Sequence, residues 1–203
     1  VIFLADIKSG IVNSALVGIS NFHVAKVMDD PTSGATTYDA VISIPQLRQV
    51  QIKPKNNSAS LYGDNVAVET ANATSEYELT IETAQLPVEY RALLMGHTFD
   101  SATGTMKVSG EDVAPYFAVM FEAQKNNGKK RFVRFTKVKF AEPDETYKTK
   151  EENISFTTPS ITGTAIYRNS DKLALVQADE EATGYQAETG EKWYTLNEQK
   201  TFD

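Results

Sequence analysis

Two apolar runs flank Asn126-Asn127-Gly128. The first, Val113 to Gln124, is aromatic and β-branched, with Glu122 as its one charge. The second carries Phe132, Val133, Phe135, Val138 and Phe140. Asn-Gly supplies the positive φ of a tight turn, so the pattern predicts a β-hairpin over 113–140. The first limb is apolar on both faces: Phe117, Val119 and Phe121 on one, Tyr116, Ala118 and Met120 on the other. A strand of that kind is covered on both sides. The cover comes from elsewhere in the chain or from a neighbouring copy. A helix on one side and a second sheet on the other is the arrangement expected here.

Asn21 to Met28 alternates as a strand, and Thr36 to Ile44 is a strand candidate closed by Pro45. Residues 1–20 mix small and apolar positions without a period and read as an arm or a strand leading in. Leu47 to Ile52 alternates, with Gln49 and Gln51 opposite Val50 and Ile52. Pro54 to Asn57 breaks it, and two short β pieces follow around Gly63-Asp64-Asn65. Residues 45–75 are polar and weakly apolar, the pattern of a long hairpin arm that needs a partner surface. Glu76 to Glu82 is a clean strand: Tyr77, Leu79 and Ile81 face one way, Glu76, Glu78, Thr80 and Glu82 the other. One short helix is predicted over 86–95. Pro87 suits its first turn, Gly96 its C′ position, and Leu86, Tyr90, Leu93 and Leu94 fall on one face. Further strands are expected near Met106–Val108, at Ile154–Thr157, at Ser160–Tyr167 and at Lys172–Gln177. The sum is mainly β, a sandwich or barrel-like fold with one flanking helix.

Composition narrows the picture further. There are 203 residues and no cysteine, so disulfides and cysteine-based zinc sites are excluded. No apolar run approaches the roughly 20 residues of a membrane helix. Val1 to Leu4 lacks the basic flank and length of a signal peptide, and the opening Val1 leaves the translated start open. Of the net charge of −7, residues 176–203 hold −5, from seven acids and two lysines. The body is nearly balanced, which gives little ground for a nucleic-acid surface from charge alone. The organisation expected is an N-terminal arm over 1–17, a β domain over 18–175 and an acidic extension over 176–203.

Candidate chemistry is sparse. His23 and His97 are the only histidines, with no His-x-x-x-His spacing, no Gly-x-Ser-x-Gly elbow and no complete phosphate loop around Gly128-Lys129. No catalytic set, metal site or cofactor site is expected. Glu76, Glu78 and Glu82 form either a solvated outer face or a surface kept negative for a purpose. Lys129, Lys130, Arg131, Arg134, Lys137 and Lys139 interleave with aromatics. That run reads as a solvated hairpin limb, a single-stranded nucleic-acid surface or a partner for acids of a neighbouring subunit. Three Asn-x-Ser/Thr triplets, at Asn56, Asn72 and Asn153, carry almost no information.

Several blocks, in order, resemble phage major tail proteins of the phi13 type. They are Ser58-Ala59-Ser60-Leu61-Tyr62-Gly63-Asp64 with Glu69-Thr70-Ala71, then Leu86-Pro87-Val88 through Leu94-Met95-Gly96-His97. Next come Asp112-Val113-Ala114-Pro115-Tyr116, Asn127-Gly128-Lys129 and Phe140-Ala141-Glu142-Pro143. Phe156-Thr157-Thr158-Pro159-Ser160-Ile161-Thr162-Gly163-Thr164 closes the set, which spans roughly residues 18–170. The resemblance implies a siphophage tail tube subunit in the virion, assembled in the host cytoplasm. It implies hexameric rings stacked into a tube, contacts with tail completion, tape measure and distal tail proteins, and DNA passing through without specific binding. No membrane is involved. Within that frame Glu76, Glu78, Glu82, Gln49 and Gln51 are expected to line the lumen. Lys53, Lys55, Leu61, Tyr62, Val66 and Val68 are expected to make the arm's contacts between subunits. Competing readings are a nucleic-acid- or carbohydrate-binding β module and a secreted tube protein of the type VI kind.

Overall fold

The computed structural model describes residues 14–64, 66–147, 149 and 158–196. The strand expected at 154–157, residues 1–13 of the expected arm and the last seven residues of the acidic extension lie outside these. In chain order the elements begin with β1 (Leu16–Asp29), β2 (Thr37–Tyr38), β3 (Ile42–Ser43), β4 (Leu47–Gly63) and β5 (Val66–Thr83). Then come α1 (Val88–Met95), β6 (Thr98–Asp100) and β7 (Thr105–Lys107). The chain continues through β8 (Tyr116–Lys125), β9 (Lys130–Phe140), β10 (Ser160–Ala165), β11 (Leu175–Asp179) and α2 (Ala187–Glu191).

The predicted hairpin is β8–β9, at the middle of one antiparallel sheet of order β2-β1-β8-β9-β10-β5-β4. Its turn places only Gly128 at positive φ, 81°; neither asparagine takes that conformation. The Gly128 N–H donates to the Lys125 carbonyl at 3.0 Å and closes the turn. β9 forks: Arg131–Phe135 pair with β11, and Val138–Phe140 pair with β10. Thr136 sits at the fork, buried, its Oγ1 donating to the Leu173 carbonyl at 2.6 Å.

The sheet curls without closing into a barrel, consistent with the sandwich-like expectation. Inside the curl lie Phe22 and Val24 of β1, Leu79 and Ile81 of β5, Phe117 and Val119 of β8, and Phe135 and Val138 of β9. The helix α1 packs Leu94 and Met95 onto this core, with Leu86, Tyr90 and Leu93 at the margin. It begins after Pro87 and ends at Gly96, whose φ of 76° is left-handed. Ordinary side chains are strained there, and a Cβ would also meet the Val113 backbone.

Four expectations need correction. The other face of the hairpin, with Ala118, Met120 and Phe132, is not covered by a second sheet. It is covered by the acidic C-terminal segment, which buries Trp193 completely and sets its ring 5.5 Å from Phe132. That segment also forms a second helix, α2, too short and too glycine-interrupted to show a period in the sequence. Finally, β4 runs unbroken through Pro54. As β4 is an edge strand, a missing N–H there need not cost a ladder hydrogen bond. The Thr36–Ile44 candidate contracts to the two-residue strands β2 and β3.

Candidate functional site

The register of β4 on β5 sets Gln49 against Glu82, Gln51 against Thr80, Lys53 against Glu78 and Lys55 against Glu76. Leu79 and Ile81 point into the core, so the two-residue period turns all of these to the other face. On β10, Ser160, Thr162 and Thr164 stand opposite Glu82, Thr80 and Glu78 and extend that polar surface. The five residues singled out as wall candidates therefore share one face. The register adds something composition did not show: Lys53 and Lys55 are on it too. Lys55 Nζ lies 2.7 Å from Glu76 Oε1, and Lys53 Nζ 3.8 Å from Glu78 Oε1. The hydrogen bond to Glu76 raises the Lys55 pKa. Two of the three glutamates are thus paired across the strands, and the face carries much less free negative charge than its acids suggest.

Past Tyr77, which pairs with Ala165, β5 has lost β10 as a neighbour. From there to the tip the β4–β5 ladder stands alone. Lys53 to Gly63 spans about 35 Å at strand rise. Every side chain described between 53 and 73 is exposed. At the tip, where Asp64 takes φ 50°, Tyr62, Val66 and Val68 are each about two-thirds exposed. Leu61 pairs with Glu69 in the same ladder. A long ribbon of this kind with an apolar tip buries nothing within its own subunit, and one edge of β4 is unpaired throughout among the described residues.

The sequence matches the family profile for phage tail tube protein over residues 48–192, well over half of the chain. The chain belongs to the phage tail tube protein family. As a member it is a structural component of the phage tail, assembling into a tube with other tail proteins. No curated protein matches the sequence.

Beyond Lys129, the basic limb of this tail tube protein is engaged internally. Lys130 reaches buried Glu122 at 3.0 Å, Arg131 Nε donates to Asp179 at 2.9 Å, and Lys137 reaches Asp30 at 2.7 Å. Arg134 lies 4.5 Å over the Trp193 ring and donates to the Trp193 carbonyl. Lys139 sits over Tyr116. Lys125, at the end of β8, is buried and bonds Asp179 and Glu181, each at 2.5 Å. Burial alone would lower the Lys125 pKa; the two carboxylates outweigh it and raise it. From sequence, 176–203 is an acidic extension with no partner in view. The partners of Asp179 and Glu181 are cations about 50 residues away on the central hairpin, a match that only the tertiary structure displays.

The two histidines are also held. His23 Nδ1 is 2.8 Å from the Asn21 carbonyl, and its ring packs 4.3 Å from Tyr194. His97 follows α1 and is nearly enclosed, with Nδ1 2.8 Å from Asp112 and Nε2 3.0 Å from Glu142. Both ring nitrogens are occupied by carboxylates. Glu142 also accepts from Arg91, which in turn holds Glu145 at 2.5 Å. The cluster joins the helix to the chain leaving β9. Among the described residues there is no group of acids and histidines placed to hold a metal ion.

Proposed function

We propose that this subunit self-assembles into hexameric rings that stack into the tail tube and conduct DNA at genome delivery, with no catalytic role. The observation that carries the reading is the arm, a β ribbon of about 35 Å with an exposed apolar tip and no partner surface of its own. The contacts of its outer part, Leu61, Tyr62, Val66 and Val68, belong with neighbouring copies, whereas Lys53 and Lys55, expected to share in them, stand at its base on the face opposite the core. The face bearing Gln49, Gln51, Glu76, Glu78 and Glu82 lines the channel. Cross-strand pairing of Lys53 and Lys55 supports that assignment in a specific way. A lysine already bound to a glutamate is a poor ligand for phosphate, so DNA slides past without lasting contacts. Stacked rings meet tail completion, tape measure and distal tail proteins at their ends, and assembly takes place in the host cytoplasm. The competing nucleic-acid module loses much of its support, because Lys130, Arg131 and Lys137 of the basic limb are committed to internal acids.

The test is negative-stain electron microscopy of the purified chain across a concentration series. Rings or tubes are expected. A strictly monomeric sample at every concentration overturns the reading.

A further inference from the structure

The two ends of the curled sheet leave an open groove of about 310 Å³ between β1 and β4. Leu16 and Ile19 of β1, Val50 of β4 and Ala123 of β8 give it apolar walls, and Arg48 stands at its margin. Both flanking edges are open among the described residues. Leu16–Ser20 pair only with β8, and β4 pairs only with β5. Arg48 makes no ion pair among the described residues. The site is therefore small, apolar, bordered by unpaired backbone and marked by one uncommitted cation.

The arm tip is its complement. Beyond the Lys55–Glu76 pair the arm carries Asp64 and Glu69 and no basic residue. Tyr62 is its large exposed aromatic, two positions from Asp64. A subunit cannot satisfy its own groove. Arg48 and Tyr62 lie on the same extended strand, about 45 Å apart at strand rise. We propose that Tyr62 of one copy seats in the groove between β1 and β4 of another, with Asp64 brought to Arg48. The aromatic ring fills the apolar floor, the carboxylate meets the cation, and backbone of the incoming ribbon pairs with the open edges. This rests on the self-assembly reading and names the acceptor that reading lacks.

Because the chain has no cysteine, thiol chemistry reports the contact cleanly. Ser60→Cys marks the arm and Gln49→Cys the groove margin, both leaving Tyr62, Asp64 and Arg48 in place. The two proteins are mixed, assembled, imaged and treated with a short bismaleimide. A covalent dimer is expected from this pair and not from Ser60→Cys mixed with Met28→Cys, which is exposed near the far end of β1. Tyr62→Ala is expected to raise the concentration needed for assembly by about tenfold or more, the loss of a buried aromatic anchor. Rings or tubes without the Ser60–Gln49 product, or with equal capture at Met28, overturn the docking site and leave the tube reading standing. Absence of any assembly in the wild-type chain overturns both.

Discussion

Among the described residues Lys125 is the basic residue least exposed to water, and its partners Asp179 and Glu181 come from the C-terminal segment. Removing one member of an enclosed ion group leaves the others without compensation. Lys125→Met should lower stability by about 2–3 kcal/mol, at or below the usual range for a buried pair because Arg131 still holds Asp179. A urea denaturation curve checks it, and an unchanged midpoint would show that the latch contributes nothing. His97 makes a pH-dependent contribution whose sign follows from its neighbours. Burial would lower its pKa, yet the hydrogen bonds to Asp112 and Glu142 raise it above 6.5. Its contribution is full below 6.5 and fades as pH climbs through the raised value. Asp112 is held below 3.8, first by the Ser109 N–H and then by His97. Burial pushes Glu142 up, but Arg91 and His97 bring it below 4.5. Their contributions are present above those values and fade as the solution is acidified. The stability difference between wild type and His97→Gln should therefore peak between about pH 4.5 and 6.5 and shrink on either side. Denaturation curves across pH settle this, and a flat difference refutes the ion-pair account. Nothing in the sequence near His97 announced this cluster, since Asp112 and Glu142 lie 15 and 45 positions away.

At the level of elements, the hairpin and the arm were legible and the C-terminal cover was not. Asn-Gly between apolar runs is a local signal, and so is a long polar stretch with alternating positions. Both faces of β8 being apolar correctly demanded two covers, and α1 supplied one. The second cover, with Trp193, hid behind a composition that reads as solvated. Asp179 and Glu181 are matched by distant cations, and the helix of this segment is five residues long. Strand continuity through Pro54 was hidden for another reason: proline breaks a central strand but not an edge. The same exposure that made the arm readable makes it dispensable to the fold. Replacing residues 56–74 by a two-residue turn removes no buried side chain described between them. The shortened subunit should unfold within a few degrees of wild type yet fail to form rings or tubes. Calorimetry and electron microscopy of the same sample separate the two effects. A large loss of stability would mean that the arm belongs to the core.

For the whole molecule, the question is which surface meets DNA. Five expected wall residues share one face, and that face holds its own counter-charges in Lys53 and Lys55. The glutamates then act less as repellent charge than as guards on two lysines. Glu76→Gln with Glu78→Gln removes the guards and leaves both cations free on every subunit. Ion pairs this exposed add little to folding, so the variant should assemble normally. Its assemblies should bind linear duplex DNA, with affinity falling steeply as salt rises, because each freed lysine displaces counterions. Adding Lys53→Gln and Lys55→Gln should abolish that binding. Topology of the DNA locates the surface. A linear fragment can thread a channel by its end, whereas a closed circle cannot. If the face lines the channel, the double-glutamine assemblies retain linear fragments and leave closed circles in solution. Equal retention of both forms would place the face on the outside and remove Glu76, Glu78, Glu82, Gln49 and Gln51 from the wall together.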